Sequence, residues 1–232
     1  MRTPGHDFEL AAGWMFHEGV VDEADDLDRV AYCTDTDLTP EQELNVVTVT
    51  TAGPPRRTPG GRYPGITSAS SACGVCGTDS IEEVFAGLGG RPTTVPQVPF
   101  DAEVLRALPD AMREQQRLFD RTGGLHAAGL AGADGELSVV REDVGRHNAV
   151  DKISGAVLLG AARVSGPAAL VTSGRLGFEI VQKAVAAGVS AVVGVGAPTS
   201  LSVELARRTS LLLVGWSRGD RAVVYAGADR LT

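Results

Sequence analysis

Apolar residues recur along this chain with two different periods, and the change of period divides it. Near the start, Phe8, Ala11, Ala12, Met15 and Phe16 are spaced as one helix face, with Asp7 at the N-terminal end and Gly19 past the C-terminal end. Two strand-like runs follow at residues 29–34 and 44–51, the second rich in β-branched side chains. Residues 53–65 hold Gly, Pro and Arg without periodicity and predict a surface loop. Thr78, Asp79 and Ser80 read as the cap of a short helix that ends near Gly87. A connector with three prolines spans 91–100, and a helical stretch over 101–120 is expected to break near Pro109.

From residue 125 the pattern changes. Short, continuously apolar runs at 125–131, 137–141, 168–172, 189–195, 211–214 and 222–225 alternate with helical segments at 143–160, 175–187 and 198–209. In the first of those helices Val150, Ile153, Val157, Leu158 and Ala161 make one apolar face. Such strands between helices predict a mostly parallel sheet covered on both faces, opened by an antiparallel hairpin around 132–136. The expected organisation is a smaller α+β region over 1–120 and a three-layer α/β/α domain over 121–232.

Composition narrows the class. With 232 residues, 43% of them hydrophobic, the chain can bury a core in one large or two small domains. No apolar run approaches the ~20 residues that cross a bilayer, so a soluble protein without a membrane partner is expected. A net charge of −8 gives no global basic footprint for nucleic acid. An anionic ligand would need a local pocket. Three cysteines and no apolar leader at Met1 predict a cytoplasmic chain with reduced thiols.

Candidate chemistry falls in three places. The first is Ser70-Ser71-Ala72-Cys73-Gly74-Val75-Cys76-Gly77, a C-x-x-C among glycines and hydroxyls, a setting that suits an accessible thiolate. Half a zinc site, a dithiol–disulfide pair and a sulfur-carrying nucleophile with a helper thiol all fit this spacing, and only His126 and His147 lie far enough downstream to complete a zinc site. Cys33, in the run Val30-Ala31-Tyr32-Cys33, reads instead as an inert core residue.

The second place is a set of strand ends, where sheets of this kind bind ligands. Thr172-Ser173-Gly174-Arg175 and Gly196-Ala197-Pro198-Thr199-Ser200 each follow a strand and open a helix. Gly215-Trp216-Ser217-Arg218-Gly219-Asp220-Arg221 follows the last long strand with two arginines and an aromatic face. Each is equally readable as an ordinary cap or turn; together they favour a phosphate-rich ligand.

The third is Arg141-Glu142-Asp143-Val144-Gly145-Arg146-His147-Asn148-Ala149-Val150-Asp151-Lys152. A helix start accounts for Glu142 and Asp143 through the macrodipole. It does not account for Arg141, Arg146 and His147, which are unfavourable there unless something anionic pairs with them. His126, in the apolar run Leu125-His126-Ala127-Ala128, reads first as a satisfied structural histidine.

These segments, with Thr122-Gly123-Gly124-Leu125, Ala197-Pro198-Thr199-Ser200-Leu201 and the opening Arg2-Thr3-Pro4-Gly5-His6-Asp7, occur in an order that resembles the FdhD family of formate dehydrogenase accessory sulfurtransferases. The resemblance covers nearly the whole chain. It departs at the start, where family members carry a further N-terminal strand segment that this chain is expected to lack. The resemblance implies that Cys73 and Cys76 take sulfane sulfur from a cysteine desulfurase as a persulfide; Cys73 is expected to carry it and Cys76, nearer the helix capped at Thr78–Ser80, to assist as a thiolate. The sulfur then passes to molybdenum in the bis(molybdopterin guanine dinucleotide) cofactor, bound as substrate, for formate dehydrogenase. It also implies a second domain similar to the cytidine-deaminase fold. Cofactor contacts are expected at Trp216, Ser217, Arg218, Gly219, Asp220, Arg221, Ser173, Gly174, Arg175, Thr199, Ser200, His126, Arg146 and His147. GDP or GMP would mimic the nucleotide arms, and a homodimer would present one site to each arm. His126-Ala127-Ala128 is similar to a deaminase H-x-E, but Ala128 replaces the glutamate and the C-x-x-C precedes the histidine, which argues against zinc deamination. The remaining rivals are a cofactor-binding chaperone without sulfur chemistry and a zinc-dependent, deaminase-like hydrolase.

Overall fold

The computed structural model describes residues 1–40, 42–57, 81–88, 90–163, 166 and 168–232. The first helix, α1 (Asp7–His17), forms where the periodicity predicts it. Its buried face is a different one, made of Asp7, Glu9, Ala12 and Gly13. That face lies on a later helix, and the small Gly13 lets the backbones meet. Strands β1 (Leu27–Tyr32) and β2 (Val47–Thr51) pair antiparallel as a separate two-stranded sheet. Leu44, expected in the second strand, stands in a turn at φ 58 and is largely exposed. Cys33 follows β1 half-buried, so it is not the core residue expected.

Helix α2 (Ile81–Gly87) precedes the proline connector, and α3 (Ala102–Arg113) follows it. The Asp101 carboxylate accepts from the backbone N–H groups of Glu103 and Val104 at 2.8 and 3.1 Å, a complete N-cap. The expected break at Pro109 does not occur. Pro109 lies inside α3 on the same buried face as Leu105, Leu108 and Met112, and packing of that face outweighs the lost hydrogen bond. The chain breaks instead after Arg113 and resumes as α4 (Arg117–Thr122).

The second half builds one sheet of six strands, ordered β4-β3-β5-β6-β7-β8. These are β3 (His126–Gly132), β4 (Leu137–Asp143), β5 (Ala168–Thr172), β6 (Ala191–Gly194), β7 (Leu212–Arg218) and β8 (Arg221–Ala226). Only β5–β6 and β6–β7 are parallel; β4–β3, β3–β5 and β7–β8 are antiparallel. The sheet is therefore mixed, not mostly parallel: tight hairpins reverse β3–β4 and β7–β8, and the chain crosses from β4 through α5 to place β5 on the far side of β3, antiparallel to it. Alternate side chains pack in opposite directions. Ala127, Val171, Val193 and Val214 meet α3, whereas Leu130, Leu170, Val192 and Leu213 meet α5 (Arg146–Leu158), α6 (Phe178–Ala186) and α7 (Ser200–Arg208). On α5, Val150 and Ile153 are buried as expected, but Val157 is 45% exposed. Among the described residues no helix is long and apolar enough to cross a membrane.

Candidate functional site

Because β5, β6 and β7 run parallel, their carboxyl ends share one edge of the sheet. Antiparallel pairing brings the start of β3 to that edge, with Ala128 opposite Thr172, and the end of β4, with Asp143 opposite His126. Helix α5 begins three residues after Asp143, at Arg146 with Gly145 as N-cap, not at 143 as the sequence suggested.

Four expected residues meet here. Nδ1 of His126 lies 3.3 Å from Oγ of Ser173, and that Oγ accepts from the Ala127 N–H at 2.9 Å. A Cβ on Gly174 would sit 3.2 Å from Cδ of Arg146 and 3.6 Å from Nδ1 of His126, so Arg146 and His126 both lie against this turn. The neighbouring strand ends stack on the same turn. A Cβ on Gly196 would be 2.9 Å from Cα of Arg175, and one on Gly215 would be 2.9 Å from the Gly196 carbonyl oxygen. Trp216 N–H donates to that carbonyl at 3.3 Å, which places Trp216 and Arg218 beside the cluster.

Trp216 is the strained residue of the edge. It holds φ 52, a region unfavourable for a bulky side chain, and the residue is 47% exposed. The Arg218 guanidinium lies 6.0 Å from the ring centroid, and its Nε donates to the Val195 carbonyl at 3.2 Å.

The electrostatics favour an anion. Nε of Arg146 is buried without a hydrogen-bond partner among the described residues. Burial, then the Arg146 charge, lowers the pKa of His126, and the same two causes with Lys183 push His147 down to about 4. Both imidazoles are therefore neutral at pH 7, beside a guanidinium whose Nε has no partner among the described residues. His147 Nδ1 lies 3.4 Å from Oε2 of Glu179, whose own pKa is raised by burial.

Other expected residues have different surroundings. Ser217 is fully buried and its hydroxyl donates to the Arg106 carbonyl at 3.1 Å, so it anchors β7 to α3. Thr199 is the N-cap of α7, its Oγ1 accepting from the Ser202 N–H at 3.2 Å, and Ser200 is the first helical residue. Ser173-Gly174-Arg175 does not open a helix: α6 starts at Phe178, after Leu176 bridges to Pro198. Arg175 is exposed in that turn. Gly219 closes the β7–β8 hairpin, its carbonyl accepting from Nη1 of Arg106, and Asp220 and Arg221 project into solvent. Cys73, Cys76 and the cap at Thr78–Ser80 lie outside the described residues.

The charged string 141–152 divides in two. Most of it stitches the fold. Arg141 grips Glu9 through Nε and Nη2 at 2.5 and 2.7 Å. The Glu142 carboxylate accepts from the N–H groups of Leu118 and Phe119, capping α4. Lys152 and Asp143 form a fully buried pair at 2.8 Å, and Asp143 also accepts from the Thr3 N–H at 2.9 Å. Asp151 accepts from Lys183 at 2.7 Å and lies 2.5 Å from His17. Of the string's basic residues, Arg146 and the neutral His147 face the edge. Sequence reasoning missed Glu179 and Lys183, which look like ordinary surface residues of a helix.

The whole chain, residues 1–232, matches the family model described as FdhD/NarQ family. It is 48% identical to the sulfur carrier protein FdhD of Streptomyces coelicolor, over 100% of this chain and 82% of that protein. It is 43% identical to the sulfur carrier protein FdhD of Mycobacterium tuberculosis, over 100% and 84% respectively. Among solved structures, a formate dehydrogenase accessory protein from Desulfotalea psychrophila superposes with a TM-score of 0.74 at 26% identity, covering 100% of this chain and 82% of that one.

Proposed function

The chain belongs to the FdhD/NarQ family, and on that footing we propose that it is a sulfurtransferase acting in formate dehydrogenase maturation in the cytoplasm. Cys73 takes the outer sulfur of a cysteine desulfurase persulfide. Its thiolate attacks that sulfur, the S–S bond of the donor breaks, and the desulfurase leaves as its own thiolate. Cys76 assists release. The Cys76 thiolate attacks the inner sulfur of the Cys73 persulfide, so that a Cys73–Cys76 disulfide forms and the outer sulfur leaves as sulfide. That sulfide becomes a ligand of the molybdenum in bis(molybdopterin guanine dinucleotide), held as a substrate; a thiol reductant then restores both cysteines.

The observation that carries this reading is the gathering of His126, Arg146, Ser173 and Gly174 at one sheet edge, with Trp216 and Arg218 beside them. A dinucleotide arm presents a flat base and a charged diphosphate. An exposed indole suits the first, and a guanidinium with an unused, buried N–H suits the second. Neutral imidazoles add hydrogen-bonding groups without a second fixed charge. In this proposal residues 1–120 carry the thiols, and 121–232, read as similar to the cytidine-deaminase fold, hold the nucleotide arms. GDP or GMP occupies the same edge, and a two-fold homodimer serves the two arms.

The direct test is mass spectrometry of the Cys73–Cys76 peptide after incubation with a cysteine desulfurase and cysteine. Added sulfur on Cys73, lost in Cys73→Ala, is the expected result. Unmodified peptide together with full formate dehydrogenase maturation by a Cys73→Ala, Cys76→Ala double variant would leave a cofactor chaperone without sulfur chemistry.

A further inference from the structure

Helices α5 and α6 cover the same face of the sheet and meet at Asp151 and Lys183. Between them, over β3 and β5, lies a cavity of about 510 Å³. Its walls are chiefly apolar: Val150 and Ile153 from α5, Ala184 from α6, Leu130 from β3 and Leu170 from β5. Protein interiors pack to crystal density, with few voids larger than a water molecule. A gap of this size falls instead in the range of small-molecule sites, about 300–1,000 Å³. It reaches Ala168, Val189 and Ser190, which stand at the amino ends of β5 and β6, whereas the site described above occupies the carboxyl ends.

The polar groups of the wall define what would fit. Lys183 is neutralised by Asp151 at 2.7 Å, and Asp22 by Arg56 at 3.0 Å and Arg91 at 3.5 Å. The Ser154 hydroxyl is held 3.1 Å from Nε2 of His17. Ser190 differs from these. It is fully buried, and its hydroxyl has no hydrogen-bond partner among the described residues. An orphaned buried hydroxyl is uncommon and calls for a partner.

We infer that this cavity is a binding site for a neutral, largely apolar small molecule with one hydroxyl or carbonyl group, which pairs with the Ser190 hydroxyl once that buried side chain turns toward the cavity. A charged ligand is disfavoured because every charge in the wall already has its counter-charge. The apolar body of the ligand would fill the space over Leu130 and Leu170, and Ala187 and Val157, both exposed, stand at the mouth.

The test uses the full chain and the neutral fluorophore N-phenyl-1-naphthylamine. Saturable, blue-shifted binding of one probe per chain is expected. Ala187→Trp and Val157→Trp, which narrow the mouth from exposed positions, should each weaken it about tenfold while circular dichroism stays unchanged. Ser190→Ala should weaken 1-naphthol severalfold and leave naphthalene unaffected. Absence of saturable binding, or binding indifferent to both tryptophan variants, overturns the inference. So does a dimer that excludes the probe and dissociates in Ala187→Trp, since a second copy then closes the groove.

Discussion

Gly155 of α5 and Glu9 of α1 meet backbone to backbone: a Cβ built on Gly155 would lie 1.8 Å from the Glu9 carbonyl oxygen. Gly13 makes the reciprocal contact, its Cβ position lying 1.8 Å from the Asp151 carbonyl oxygen. The two helices therefore cross at a distance only glycine allows, and the crossing brings Glu9 to Arg141 and His17 to Asp151.

Gly155→Ala must push α1 away, because the obstructing atoms are backbone and cannot rotate aside. A loss of about 3 kcal/mol is expected, with Gly13→Ala similar. Urea denaturation of both variants checks this.

The buried pair Lys152–Asp143 supplies a second expectation. Lys152→Met leaves the Asp143 carboxylate fully buried with backbone and amide donors only, a loss of about 3–5 kcal/mol. Arg221→Ala, whose nearest carboxylate is 3.9 Å away and fully solvated, should be silent. The comparison by thermal melting separates buried from surface charge.

Stability should also depend on pH. His17 and His147 are each held at about 4 in the folded chain, against an ordinary value of 6.5, first by burial in both cases. The folded state thus binds fewer protons than the unfolded chain between those values. Their contribution is complete above pH 6.5 and is lost as pH falls toward 4, by up to about 3 kcal/mol for the fully buried His17. Denaturant midpoints measured from pH 7 to pH 4 should fall, and more shallowly in His17→Gln.

Nucleotide binding tests the sheet edge. Arg218→Ala should weaken GDP by about 1.5–3 kcal/mol if its guanidinium makes a charge-assisted phosphate contact, and Arg146→Ala by a similar amount. Calorimetry reads both, and an unchanged affinity in the two variants moves the nucleotide elsewhere.

Assembly follows from the two arms of the proposed cofactor. Sedimentation should show a dimer, and a monomer that binds the intact cofactor tightly would exclude the two-fold arrangement.

What the sequence determined by itself is the order and kind of the elements. Hydrophobic period places α1, the six strands of the second half and the three helices between them within a few residues, because period reports the kind of element, although the face that α1 buries carries Asp7, Glu9 and Gly13. Composition and motif order marked the strand ends and the charged string as the places to look. Tertiary structure decided how those residues are used. Glu9, 132 positions from Arg141, and Thr3, 140 positions from Asp143, are the contacts that turn most of the string into stitches. No local pattern encodes such pairings. The direction of the strands was also decided late, since hairpins at both ends of the sheet outweighed the parallel centre. Arg146 stands at the edge with an Nε that has no partner among the described residues, while Arg141, five residues earlier, is paired with Glu9. The difference lies in what packs against each, and that is a property of the fold.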